Sequence, residues 1–211
     1  MNEIVNGIFE AVKRGNWELH RACYHLLTFA EKKYLLEKYY ILYPSQPPCY
    51  KLKIFIEFFS QLPYEEITVT ELGCGNGKLG RELLARFDNI MSWVGYDLSG
   101  SRIKNSRRAR GYTAIELKEP FTGPFGDVFV SSHTFEHMNA MEVRAVLSKV
   151  DSKYIMLEIP IKEDGQNWSQ YGGAHILQQG REYIRKLLYN YKSEKEVVVG
   201  EAWSAFFRRC N

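Results

Sequence analysis

Thr68-Val69-Thr70-Glu71-Leu72-Gly73-Cys74-Gly75-Asn76-Gly77-Lys78-Leu79-Gly80 begins β-branched, turns glycine-rich, and resumes as a helix-compatible run. Such a strand, turn and helix lets glycines at 73, 75 and 77 take backbone conformations closed to other residues. It also lets a ligand approach main-chain atoms, and the following helix offers free N–H groups. Gly75, Gly77 and Gly80 satisfy G-x-G-x-x-G, and Asp97 lies 20 residues beyond Gly77. Taken alone, the pattern does not separate nicotinamide dinucleotides from other nucleosides, and a plain tight turn is the alternative. Two carboxylates tilt the choice. Glu71 stands at the strand's carboxyl edge, where it can meet a ligand cation and would repel a diphosphate. Asp97 ends the next strand, from which a carboxylate can chelate two ribose hydroxyls.

Outward from this loop, β-rich runs recur at Ile67–Leu72, Trp93–Tyr96, Thr113–Ile115, Asp127–Ser131, Tyr154–Ile159, Glu196–Val199 and Trp203–Arg208. Leu79–Phe87, Gly100–Arg110 and Ala140–Lys149 read as helices between them. Strands alternating with helices imply a mostly parallel sheet. The last two runs are joined by only Gly200-Glu201-Ala202, too short for anything but antiparallel neighbours. Upstream of Pro63 the period is helical: Ile4 to Val12, then Trp17 to Tyr40 as one amphipathic helix, then Tyr50 to Gln61. The expected division is a helical N-terminal cap over 1–64 and an α/β domain over 65–211.

Of the 211 residues, 45% are hydrophobic and 25% charged, which excludes a disordered chain. No apolar stretch approaches the roughly 20 residues that span a bilayer, and no signal segment opens the chain, so a cytoplasmic protein without a membrane partner is expected. The scattered Cys23, Cys49, Cys74 and Cys210 form no C-x-x-C pair and support neither a zinc ribbon nor a disulfide framework. A net charge of +3 calls for no nucleic-acid partner. The basic run Arg102, Lys104, Arg107, Arg108, Arg110 reads as a solvated helix face, although it could touch phosphates. The oligomeric state is not legible.

Glu71-Leu72-Gly73-Cys74-Gly75-Asn76-Gly77 resembles motif I of the class I S-adenosylmethionine-dependent methyltransferases. Gly95-Tyr96-Asp97-Leu98-Ser99 is similar to the acidic motif after their second strand, Gly126–Ser132 to their fourth-strand motif, and Tyr154–Pro160 to their fifth strand. The likeness runs over roughly residues 65 to 209. It implies a Rossmann-like, mostly parallel seven-stranded sheet with a C-terminal antiparallel β-hairpin, S-adenosylmethionine as cofactor, and methyl transfer to an unidentified acceptor, with oxygen as the expected acceptor atom. By the same resemblance the loop Gly73, Cys74, Gly75, Asn76, Gly77 packs on the methionine part, with Glu71 near its ammonium. Asp97 holds the ribose, Leu98 flanks the adenine, and Glu116 and Leu117 border its edge. Ser131, Ser132 and His133 line the pocket beside the reactive methyl. The alternatives are an NAD(P)-dependent oxidoreductase and a non-catalytic S-adenosylmethionine-binding module.

The fourth strand ends in Ser131-Ser132-His133, without an Asn/Asp-Pro-Pro-aromatic loop or a Pro-Cys nucleophile, which disfavours methylation of DNA bases. The following His133-Thr134-Phe135-Glu136-His137 places two histidines four apart, expected on one helical face. Glu136 and His137 would cap and pack that helix. In a second reading His133, Glu136, His137 and a folded-back His175 bind a divalent metal, similar to metal-assisted O-methyltransferases that carry Glu-x-x-Glu-His here. In a third, His133 or His137 acts as a metal-free general base. A fourth, the His-x-x-Glu-His metalloprotease pattern, needs both histidines deep in a helix and leaves the glycine loop unexplained.

Overall fold

The computed structural model describes residues 3–42, 52–104, 109–160, 177, 180–200 and 202–210. His175 of the divalent-metal reading, and Arg107 and Arg108 of the basic run, lie outside the described residues.

Seven strands form one sheet: β1 (Ile67–Leu72), β2 (Ile90–Asp97), β3 (Tyr112–Glu116), β4 (Val128–Ser132), β5 (Tyr154–Pro160), β6 (Tyr191–Val199) and β7 (Ala202–Arg209). Their order is β3-β2-β1-β4-β5-β7-β6. The first five are parallel, and β7 runs antiparallel to both β5 and β6. Gly200 at φ 61° turns the closing hairpin. Between β1 and β4 the strand order reverses, so their carboxyl ends diverge into a crevice.

Both faces of the sheet are covered, which is why β4 and β5 read as nearly unbroken apolar runs. On one face α4 (Leu52–Phe59) and α5 (Lys78–Leu84) pack over Val69, Trp93, Val130 and Met156. There Phe58 stacks on Phe206 at 5.7 Å and Phe59 on Trp93 at 5.7 Å. On the other face α7 (Ala140–Leu147) and α8 (Arg181–Leu187) cover Phe129, Ile155, Leu157, Trp203 and Phe207. The alternation of Trp203, Ala205 and Phe207 against Phe206 divides β7 between the two clusters. A third apolar cluster, separate from both, joins Val5, Ile8 and Val12 of α1 (Glu3–Lys13) to Leu35 and Tyr39 of α3 (Phe29–Leu42).

Three elements depart from the sequence reading. The helix expected over Trp17–Tyr40 is broken into α2 (Glu18–Cys23), a 3-10 turn at Tyr24–Leu26, and α3. Leu27 is extended, and Thr28 restarts the helix by a reciprocal cap: its N–H donates to Glu31 Oε2 at 2.8 Å, while the Glu31 N–H donates to its Oγ1 at 3.3 Å. α8 was not read at all. The helix expected from Gly100 is α6, described over Gly100–Lys104; Ala109 and Arg110 at the end of the expected run are not helical, and 105–108 lie outside the described residues. No helix among the described residues is long and apolar enough to cross a membrane.

Candidate active site

Three of the loop glycines do take left-handed conformations: Gly73 at φ 82°, Gly75 at 55° and Gly77 at 72°. The reasons differ. A Cβ at Gly73 would overlap the side chain of Thr134, whose hydroxyl donates to the Leu72 carbonyl at 3.1 Å. A Cβ at Gly77 would overlap the Tyr112 hydroxyl, and one at Gly80 would lie 2.6 Å from Trp93 Nε1 and 2.7 Å from the Tyr112 ring. Gly95 of β2 is pressed the same way by Cys74 and Tyr112. Gly75 alone has room, its nearest neighbour being Arg102 Nη1 at 3.4 Å.

Below this loop lies Glu71, 2% exposed, its Oε2 accepting from the Trp93 indole at 2.8 Å. Burial pushes its carboxyl up to about 7, with the Trp93 bond pulling back and Asp97 adding to the rise. Asp97, 6% exposed, accepts from the Gly75 N–H at 2.7 Å and the Ser99 N–H at 2.8 Å, which ties the end of β2 to the loop. Burial raises it as well, against those two amide bonds and Arg102. Burial also raises the Cys74 thiol, removing it as a nucleophile. Asn76 is exposed at the crest, and Leu98 and Leu117 are half-buried. Glu116 reaches back to Gly100, where a Cβ would meet its carboxylate at 2.7 Å, and its pKa is lowered, first by the hydrogen bond from Lys33.

Across the crevice, β4 ends at Ser131 and Ser132. Ser131 Oγ donates to the Leu72 carbonyl at 3.2 Å, and Ser132 Oγ to Glu158 Oε2 at 3.3 Å. The expected helix with two aligned histidines does not follow. His133 instead takes φ 51°, Phe135–His137 is a 3-10 turn, and α7 starts only at Ala140, capped by Asn139 and Glu142. The physical reason is burial: Phe135 is drawn fully into the core beneath the sheet edge, so the chain bends before it can spiral. The histidines still converge, on one carboxylate. Glu136 Oε1 lies 3.4 Å from His133 Nδ1 and 3.9 Å from His137 Nε2.

Glu158, fully buried on β5, was missed by the sequence reading. Its Oε1 lies 3.4 Å from His133 Nε2, and its carbonyl accepts the His133 N–H at 2.9 Å. A lone carboxylate inside the apolar run Tyr154–Ile159 was the available signal. Burial alone would lower the His133 pKa, but hydrogen bonds to Glu136 and Glu158 outweigh it and raise the ring to about 10. At neutral pH His133 is therefore an imidazolium between two carboxylates. Among the described residues no three His, Cys, Asp or Glu side chains are grouped to hold a metal, and His175 lies outside those residues, so the divalent-metal reading is not carried forward.

No protein-family model and no curated protein sequence matches the chain. Solved structures do. The methyltransferase domain of bacterial CtHen1 superposes with a TM-score of 0.59 at 16% identity, over 75% of this chain and 97% of that one. Magnesium protoporphyrin IX methyltransferase (ChlM) from Synechocystis PCC 6803, with bound S-adenosylhomocysteine, gives 0.59 at 14% identity, over 87% and 88%. The putative methyltransferase bound to the Haloferax volcanii Trm112 activator gives 0.60 at 11%, over 74% and 89%. The chain thus has the fold of the class I S-adenosylmethionine-dependent methyltransferases.

Proposed function

We propose that this chain is an S-adenosylmethionine-dependent methyltransferase acting on an oxygen of its acceptor. One observation carries the reading. Glu71, Asp97, Glu136 and Glu158, all 2% exposed or less except Asp97 at 6%, crowd the carboxyl ends of β1, β2 and β5 and the turn after β4. Buried carboxylates so placed suit a cationic nucleoside and oppose a dinucleotide's diphosphate. The residues present fit that cofactor: no side chain crowds the Cβ position of Gly75, and Asp97 keeps lone pairs for ribose hydroxyls beside its two amide bonds.

When bound, the cofactor supplies an electrophilic methyl on a sulfonium. The protein's part is alignment and proton removal. Gly73, Cys74, Gly75, Asn76 and Gly77 hold the methionine part, with Glu71 facing its ammonium. Asp97 holds the ribose. Leu98, Glu116 and Leu117 border the base, and Ser131, Ser132 and His133 wall the methyl. His133, already protonated, orients through Glu136 and Glu158 and takes no proton at neutral pH. The acceptor's proton passes to His137, on the same Glu136 carboxylate. The helices before residue 43 form a cap over this edge, within the expected 1–64 unit.

Titration calorimetry with S-adenosylhomocysteine tests the reading: micromolar binding is expected to wild type, at least about 10-fold weaker for Asp97→Asn, consistent with a lost charged hydrogen-bond pair. Binding of NAD(H) instead would point to an oxidoreductase. Cofactor binding without transfer to any hydroxyl-bearing acceptor pool would point to a non-catalytic module.

A further inference from the structure

Helix α3 carries three charged side chains to three different segments of the α/β body. Lys32 Nζ bonds Glu142 Oε1 at 2.7 Å, in the first turn of α7 after β4, and lies over the Tyr24 ring at 4.3 Å. Lys33 Nζ bonds the Glu116 carboxylate at the end of β3, and also the Leu117 carbonyl at 3.0 Å. Glu37, one helical turn on, accepts from Ser101 N at 3.2 Å and Ser101 Oγ at 2.6 Å, in α6 after β2. In the order β3-β2-β1-β4, the segments that α3 reaches, after β4 on one hand and after β2 and β3 on the other, flank the loop after β1 on both sides. That loop is Gly73–Gly77. The apolar residues of α3 meanwhile belong to the cluster with α1, separate from the clusters that flank the sheet. α3 is thus held down on the sheet edge by ionic and hydrogen-bonded contacts, of the kind found at interfaces between units that move.

The groups it holds matter. Glu116 and Leu117 are those proposed to border the base, and an exocyclic amine would seek the same two oxygens that Lys33 now occupies. We propose that α3 is a latch: Lys33 and Glu37 close it over the nucleoside half of the crevice, and nucleoside entry displaces Lys33 from Glu116 and Leu117. This deepens the methyltransferase reading and rests on it. The open fraction of α3 then sets apparent affinity, since binding is weakened by the fraction of molecules that are latched.

The test uses Lys33→Met, Glu37→Gln and the double variant, with S-adenosylhomocysteine as probe and two readouts, calorimetry and hydrogen exchange by mass spectrometry. Each single change is expected to tighten binding about 3- to 5-fold and the pair about 10-fold, the scale of partly exposed ion pairs. Peptides from 29–42 should exchange faster in the variants and, on ligand binding, in wild type, while those from 71–80 become protected. Unchanged exchange in the strand peptides would verify that each variant is folded. Weaker binding by Lys33→Met, or protection of 29–42 on binding, would overturn the latch while leaving the methyltransferase reading intact. Binding by the double variant but not by wild type would support the latch in its strongest form. Binding by neither would remove the methyltransferase reading, and the latch with it.

Discussion

Replacing Glu71 by Gln isolates the buried carboxyl beneath the glycine loop. In the folded chain burial lifts this group from its ordinary 4.5 to about 7. A raised value means that the folded state holds the proton more tightly than the unfolded one. The stabilisation from this group is therefore complete below pH 4.5 and is lost as pH rises through 7. A separation of about 2.5, at about 1.4 kcal/mol for each unit, makes that loss about 3 kcal/mol by pH 8. Gln keeps an acceptor for the Trp93 indole and has no proton to lose. Any penalty for its extra N–H donors is the same at every pH. Urea unfolding at pH 4.5, 6, 7 and 8, followed by tryptophan fluorescence, should show the variant gaining on wild type by about 3 kcal/mol across that range. The comparison at each pH cancels the other groups that titrate in both proteins. A difference flat to within about 0.5 kcal/mol, or one that moves the opposite way, would refute the claim that Glu71 is lifted by burial.

Two glycine replacements should part in sign. Gly80→Ala drives a methyl to within 2.6–2.8 Å of Trp93 and Tyr112 and should lower stability by about 1–2 kcal/mol even after the gain in helix propensity, whereas Gly7→Ala in α1, with nothing within 4 Å, should raise it by about 0.5–1 kcal/mol; melting curves decide both. His20 is 3% exposed, bonds Tyr39 at 2.9 Å, and is held down to about 4, by burial first and then by His137 and Arg21. A lowered value reverses the sign relative to Glu71: its contribution is present above pH 6.5 and is lost as pH falls through 4. Hydrogen exchange in α1–α3 should accelerate over that interval, after correction for intrinsic rates, and His20→Gln should flatten the change.

The strands were legible because the sheet is covered on both faces. Ile67–Leu72 matches β1 residue for residue, and Tyr154–Ile159 misses only the last residue of β5. Boundaries slipped where side chains stay in water: β6 begins at Tyr191 and not at Glu196, since Lys192, Ser193 and Glu194 on the outer strand face solvent and carry no apolar signal. The N-terminal helices misread for another reason. Leu26, Leu27 and Ala30 continue a helical period across the break, and the Thr28–Glu31 cap that marks the restart is a polar signal hidden inside it.

At the site, the sequence singled out Glu71, Asp97 and Glu136 but neither Glu158 nor what these groups do to their neighbours. His133 next to Glu136 was visible; its second carboxylate, Glu158, comes from 25 residues further on through the pairing of β4 with β5. Both carboxylates raise the ring's pKa, which is why the proposed function gives the base role to His137 and not to His133. The glycine fingerprint shows the converse failure. Gly77 and Gly80 count towards G-x-G-x-x-G, yet each is required by the aromatic side chains of Tyr112 and Trp93 packed against it. A glycine demanded by a packed ring carries no information about a diphosphate above it. Gly73, held to the space that Thr134 leaves, is the same case. Set Gly77 and Gly80 aside and the dinucleotide match reduces to Gly75, whose Cβ position has room and whose N–H is bonded to Asp97, so the discrimination between the two kinds of nucleoside falls to the buried carboxyl groups. Carboxyl groups line both sides of the crevice, Glu71 and Asp97 on one and Glu136 and Glu158 around the His133 ring on the other, a lining that suits a cationic ligand better than a diphosphate.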